Sequence, residues 1–122
     1  MLINITVSVM ELIDSNGEYN YTVVNRVKEI VDKRYSEKLT VNDISREMNF
    51  SRQHIYRIFS RITGMKILEY ITEYRIERAK ELLKSSTMSV GDIARSVGYH
   101  DCDYFTKIFK ERTGTTPDEY KK

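Results

Sequence analysis

Apolar residues recur along most of this chain at intervals of three and four, the spacing that places them on one face of an α-helix. From Tyr21 onward, Val24, Val27, Ile30, Val31 and Tyr35 form one such stripe, opposed by Arg26, Lys28, Glu29, Asp32 and Lys33. The pattern predicts a first amphipathic helix. A second, short helix is expected after Thr40, an N-cap with Asp43 three residues on, its inner face made of Val41, Ile44 and Met48. Asn49 is expected to end it in a left-handed turn. Ser51 caps a third helix whose inner face is Ile55, Ile58, Phe59 and Ile62, and Thr63-Gly64 stops it. A longer helix is predicted from about Lys66 to Lys84, with Ile67, Leu68, Ile71, Ile76, Ala79, Leu82 and Leu83 on more than one face, as packing on two sides requires. Glu69, Glu73, Glu77 and Glu81 occupy its other positions beside Arg75, Arg78 and Lys80, which predicts a solvated charged face.

Beyond this helix the earlier pattern returns. Val41, Ile44, Met48 and Phe50 recur as Val90, Ile93, Val97 and Tyr99 at an offset of 49, and Ile58, Phe59 and Gly64 recur as Ile108, Phe109 and Gly114 at an offset of 50. One residue is inserted at the turn. The repeated unit is a short helix, a tight turn at Asn49 or Gly98 and a longer helix, the helix-turn-helix arrangement that places its second helix in a DNA major groove. The fold class is therefore all-α, with two tandem helix-turn-helix subdomains (about 39–64 and 89–114) joined by a long linker helix (about 66–84). The first 20 residues stand apart. Leu2 to Val9 alternates like a strand, while Leu2, Ile5, Val9, Leu12 and Ile13 also share a helical face, and both readings stay open. Asp14-Ser15-Asn16-Gly17 reads as a turn, which makes 1–20 a connector from an upstream domain and 21–122 the bilobal domain.

Composition narrows the function. The chain has 122 residues, 40% hydrophobic, enough for one core or for two small helical units that support each other. Twenty basic residues against 18 acidic ones give a net charge of +2, so local rather than overall charge selects the partner. No apolar run is long enough for a membrane span, and no signal-peptide pattern follows Met1. Cys102 is the single cysteine and there are two histidines, too few for a self-sufficient zinc site, and a reducing, cytoplasmic location is expected. His100-Asp101-Cys102-Asp103 reads as a helix start with Asp101 as N-cap, not as a metal cluster. No phosphate loop, nucleophile elbow or paired-carboxylate motif is present, so neither an enzyme nor a cofactor is expected. Tyr99, Phe105 and Phe109 are spaced as core rather than as stacking platforms. The informative stretch is 52–61, which holds Arg52, Arg57 and Arg61 with one histidine, one glutamine and no carboxylate. That composition suits phosphate neutralisation and bidentate base readout.

Ser89-Val90-Gly91-Asp92-Ile93-Ala94, Val97-Gly98-Tyr99, Asp101, Tyr104-Phe105, Lys107, Phe109-Lys110, Gly114 and Pro117 through Tyr120 are similar, in order and spacing, to the signature of the AraC/XylS family of bacterial transcription regulators. Tyr70, Arg75-Ile76, Ala79 and Leu82-Leu83 resemble that family's linker helix. The resemblance covers about 21–122. It implies a bilobal domain of about seven helices that binds double-stranded DNA, each lobe inserting one recognition helix into adjacent major-groove segments. Carried over by position, Arg52, Gln53, Tyr56 and Arg57 face bases from the first lobe and Cys102, Asp103, Thr106 and Lys107 from the second. An acid and a thiol depart from the neutral polar residues familiar there, so the first lobe is expected to dominate affinity.

Arg61, Lys66, Lys110 and Thr115 near helix ends are candidate phosphate contacts, with the backbone amides after Thr40 and Ser89. A linker from Lys66 to Lys84 is roughly 28 Å long, short of the roughly 34 to 36 Å between grooves one turn apart, so the lobes tilt or the DNA bends. Regulators of this family commonly carry a separate sensing or dimerisation domain, and RNA polymerase is a further candidate partner. The competing reading is a helical protein-interaction module that keeps the fold without reading DNA. Salt separates the two, because only DNA binding releases condensed counterions.

Overall fold

The computed structural model describes residues 9–122, with side chains from Gly17 onward. Seven helices and no strands occur among the described residues: α1 (Val9–Arg34), α2 (Val41–Met48), α3 (Arg52–Thr63), α4 (Ile67–Ser85), α5 (Val90–Ser96), α6 (Cys102–Thr113) and α7 (Pro117–Lys121). The local signals act where the sequence places them. Thr40 and Asp43 form a reciprocal capping box at α2, in which the Asp43 amide donates to Thr40 Oγ1 at 3.1 Å and the Thr40 amide to Asp43 Oδ2 at 2.9 Å. Ser51 accepts from the His54 amide, and Asp101 accepts from the amides of Asp103 and Tyr104. Asn49 adopts the left-handed conformation at φ 59° and Gly64 closes α3 at φ 77°.

Two cores result. Val24, Val27, Ile30 and Val31 of α1 pack with Ile44 of α2, Ile55 and Phe59 of α3, and Ile67 and Ile71 at the start of α4. The second core joins Ile76, Ala79 and Leu83, from the rest of α4, to Ile93, Val97, Phe105 and Phe109. The linker helix thus gives one half of its length to each lobe, which is why its apolar residues occupy more than one face. Phe59 and Phe109 hold equivalent positions and both are fully buried. Truncating either to alanine is expected to cost about 3–5 kcal/mol, a large share of what so small a lobe can have.

The duplication runs further than the sequence pattern alone showed. Phe59 meets Tyr70 edge to face at 5.5 Å, and Phe109 meets Tyr120 in the same way at 5.5 Å. Thr63 Oγ1 donates to the Phe59 carbonyl at 2.7 Å, and Thr113 Oγ1 to the Phe109 carbonyl at 2.8 Å. Glu69 accepts from the Lys66 amide as Glu119 does from the Thr116 amide. α7 is therefore the counterpart of the first turn of α4.

Two expectations need correction. The turn expected at Asp14-Ser15-Asn16-Gly17 does not form, because α1 runs unbroken from Val9 through these residues to Arg34. None of the four is proline, and once Val23 to Val31 are docked, extending a helix backward adds hydrogen bonds without a second nucleation. The strand-or-helix question for 1–8 lies outside the described residues. The second correction concerns Arg75, which does not join the solvated face of α4. It is half-buried, and its Nε and Nη2 donate to the carbonyls of Tyr35 and Glu37 at 2.8 and 2.9 Å. The glutamates themselves are exposed as expected.

Candidate nucleic-acid interface

α3 turns Ile55, Ile58 and Phe59 into the first core, which leaves Arg52, Gln53, Arg57 and Arg61 exposed on the other side. Steps of four place Gln53, Arg57 and Arg61 along one line of the helix surface. Tyr56 is half-buried and packs against the first core, so only part of its ring faces outward. Arg52 Nη1 donates to Asn42 Oδ1 at 3.3 Å, joining the start of α2 to the start of α3. Beside this contact lies a depression of about 270 Å³ lined by Leu39, Thr40, Val41, Asn42, Arg52, Tyr56 and Leu68. Arg57 Nη2 lies 3.4 Å from His54 Nδ1, and the Tyr19 hydroxyl lies 3.1 Å from His54 Nε2.

In the second lobe, α6 buries Phe105 and Phe109 and exposes Asp103, Lys107 and Lys110. Cys102 is a free, half-buried thiol, and Thr106, one turn further along α6, is half-buried as well. Asp103 and Lys107 stand four apart on one face, so an acid and a base share this surface. Arg112 lies 4.0 Å from Glu73 of α4. Tyr99, Phe105 and Phe109 are buried, as their spacing implied.

Charge pairing separates the arginines of α3 from most of those elsewhere, whereas lysines such as Lys33, Lys38 and Lys84 form no ion pair among the described residues either. Among the described residues, Arg26, Arg34, Arg46, Arg78, Lys80 and Arg95 each pair with a carboxylate. Arg52, Arg57, Arg61, Lys107 and Lys110 form no ion pair among those residues. A cation with no carboxylate partner keeps its charge available for a phosphate or a guanine edge.

The remaining phosphate candidates differ in quality. Arg61 and Lys66 are exposed near the α3–α4 junction. Thr115 is half-buried, its amide donating to Thr113 Oγ1 at 3.2 Å and its carbonyl accepting from that hydroxyl at 3.0 Å. At the N-terminus after Thr40 a carboxylate is already installed: Asp43 takes the Thr40 amide, and that bond holds its pKa below the ordinary aspartate value. Asp92 stands likewise in the first turn after Ser89 and pairs with Arg95. An acid therefore opposes phosphate at both amide sites. Sequence reading missed Asn42, which shares the depression with Arg52, and His54, which touches Arg57. The 50-residue offset was the available signal for the second, since it aligns His54 with Tyr104, whose ring is 51% exposed at the start of α6.

Among the described residues, no helix is long and apolar enough to cross a membrane, and no three His, Cys, Asp or Glu side chains gather to hold a metal.

Two helix-turn-helix lobes on a shared linker helix, each with an exposed second helix, define a bilobal DNA-binding domain. A family profile described as a helix-turn-helix domain matches residues 44–122. The Msm operon regulatory protein of Streptococcus mutans is 39% identical over 99 residues, which are 81% of this chain and 36% of that protein. The bifunctional transcriptional activator/DNA repair enzyme AdaA of Bacillus subtilis is 36% identical over 98 residues, 80% of this chain and 46% of that protein. The C-terminal domain of AraT, a response regulator from Geobacillus stearothermophilus, superposes with a TM-score of 0.79 at 30% identity, over 81% of this chain and 83% of that one. The chain belongs to the AraC/XylS family of helix-turn-helix DNA-binding transcription regulators. It spans less than half the length of these two curated relatives.

Proposed function

We propose that this chain is the DNA-reading part of a bacterial transcription regulator, binding a specific double-stranded site with α3 and α6 in adjacent major-groove segments. The observation that supports the reading best is the exposed face of α3, where Arg52, Arg57 and Arg61 meet no carboxylate among the described residues while Arg26, Arg34, Arg46, Arg78 and Arg95 each pair with one. In this reading Arg57 recognises guanine, Arg52, Gln53 and Tyr56 flank it, and Arg61, Lys66 and Lys110 neutralise phosphates. Cys102, Asp103, Thr106 and Lys107 form the second, weaker reader, and Thr115 contributes through its turn. The chain supplies no catalytic step and needs no cofactor, it works in the cytoplasm, and the longer relatives support an accompanying sensing or dimerisation domain. RNA polymerase is the macromolecular partner the reading adds to DNA.

The test is selection of bound duplexes from a random pool, followed by affinity measurement across a salt series. The expected result is a motif of two half-sites about one helical turn apart, with log affinity falling linearly as log salt rises. Recovery of no motif, together with affinity indifferent to salt, would replace this reading with that of a protein-interaction module.

A further inference from the structure

We propose that Arg75 sets the spacing between the two DNA half-sites by clamping the lobes in one relative orientation. The inference rests on α3 and α6 being the DNA readers. Arg75 lies in the middle of α4, where the helix passes from the first core to the second. Its guanidinium donates to the carbonyls of Tyr35 and Glu37, in the segment that leaves α1. The same group lies over the Tyr99 ring of the second lobe, 5.3 Å from the centroid. One planar cation therefore holds the end of α1, the linker and the turn of the second helix-turn-helix together.

The backbone is fitted to this clamp. Gly98 has φ 104°, and a Cβ there would lie 2.6 Å from the Tyr35 carbonyl oxygen and 2.9 Å from Arg75 Nε. The turn of the second lobe thus abuts the segment that Arg75 holds, with no room for a side chain between them. Tyr35 packs at the edge of both cores. Its hydroxyl accepts from Arg78 Nε at 3.2 Å, and Tyr74 donates to Asp32 close by. Two carbonyls and a ring face are satisfied together only by a guanidinium, since an ammonium is a point donor that cannot span them in one plane.

A rigid clamp has a specific consequence on DNA. Inserting one base pair between half-sites moves them by about 3.4 Å and rotates them by roughly 35° about the duplex axis. Lobes joined by the helix alone would absorb part of that change, whereas clamped lobes would lose one reader. Arg75 is in this sense a positioning residue, acting on specificity without touching DNA.

The experiment takes the duplex selected by the unaltered chain and adds or removes one base pair between its half-sites. Unaltered protein is expected to lose about tenfold or more in affinity at either altered spacing, the loss of a second tethered contact. Arg75→Ala is expected to bind the original duplex less tightly while reducing that spacing penalty to about threefold or less, with Arg75→Lys between them. Loss by the same factor at all three spacings would make Arg75 merely stabilising and overturn the proposal. So would an unaltered protein indifferent to spacing. Selection of no duplex would overturn the DNA reading itself, an outcome distinct from either.

Residual dipolar couplings of the free protein provide a readout without DNA. One alignment tensor should fit both lobes of the unaltered chain, and two should be needed for Arg75→Lys, which keeps the positive charge if Arg75→Ala fails to fold. A single tensor in both would again defeat the clamp.

Discussion

At the turn between its two helices, the first lobe holds Asn49 at φ 59° and the second holds Gly98 at φ 104°. Asn49 is exposed, whereas the space beside Gly98 is filled by the Tyr35 carbonyl and Arg75. The two lobes share a pattern but not a role in the assembly. The first turn only has to reverse the chain, while the second must also receive another part of the molecule. Their reading helices differ as well: α3 presents Arg52, Arg57 and Arg61 without an acid, and α6 sets Asp103 and Glu111 beside Lys107 and Lys110. A duplicated unit can therefore keep its core and diverge in what its surface attracts and what its turn tolerates.

The sharpest way to break this comparison is to exchange the turn residues. Gly98→Val is expected to cost about 2–4 kcal/mol, since it adds a β-branched side chain at positive φ against a backbone oxygen. Gly98→Asn should be damaging too, although asparagine serves in the first lobe, because its Cβ meets the same oxygen. Asn49→Gly should change stability by less than about 1 kcal/mol. Urea unfolding of the three variants checks this, and an unaffected Gly98→Asn would show that the crowding at Gly98 carries no cost.

Next in size is the contrast between readers. Arg57→Ala is expected to lower specific affinity by about 1–3 kcal/mol and to relax base choice at one or two positions. Lys107→Ala should cost less, because Asp103 on the same face already offsets its charge. Titration of specific and random duplexes decides. Equal losses on both would reduce Arg57 to a phosphate contact, and a larger loss at Lys107 would reverse the ranking of the lobes.

Smaller again is Asp103→Asn. Removing a carboxylate from the reading face should tighten binding to random duplex about twofold to fivefold at low salt. The gap between specific and random sites should narrow, since an aspartate facing the groove accepts from a cytosine amino group. If both affinities stay constant across a salt series, Asp103 faces away from DNA and serves only the N-terminus of α6.

The smallest effect expected is on acid stability. Backbone amides hold the pKa of Asp43 in the first lobe, and of Glu119 in the second, below the ordinary carboxylate values. A depressed folded pKa contributes stability that is fully present above the unfolded pKa and is lost as pH falls through the folded value. Thermal unfolding from neutral pH downward should show the loss. Asp43→Asn and Glu119→Gln should each remove part of that pH dependence.

Much of the fold was legible because its signals are local. Thr40 with Asp43, Ser51, Asn49 and Gly64 act within four residues of themselves, so type and position suffice to place caps and stops. The apolar repeat located both cores for the same reason. Asp14 to Gly17 misled because turn propensity is weak and the docked remainder of α1 overrides it. The candidate site was legible in outline, as exposed residues opposite an apolar face. Asn42 was not, because its relation to Arg52 depends on packing between α2 and α3, whereas His54 stands three residues before Arg57 on one helix and its place was legible from spacing.

By itself the sequence determined the helical periods, the caps, the duplication and the acid-free surface of α3, all of which follow from residue type at fixed spacing along one chain. The tertiary structure alone decided the pairings between helices, Arg26 and Arg34 with Glu47 and Arg112 with Glu73, whereas the remaining ion pairs join residues three apart and follow from spacing. It also decided that Arg75, one more cation in a charged helix by its sequence, turns inward. Three acceptors from two distant parts of the chain, the Tyr35 and Glu37 carbonyls and the Tyr99 ring, converge there only once both lobes are packed.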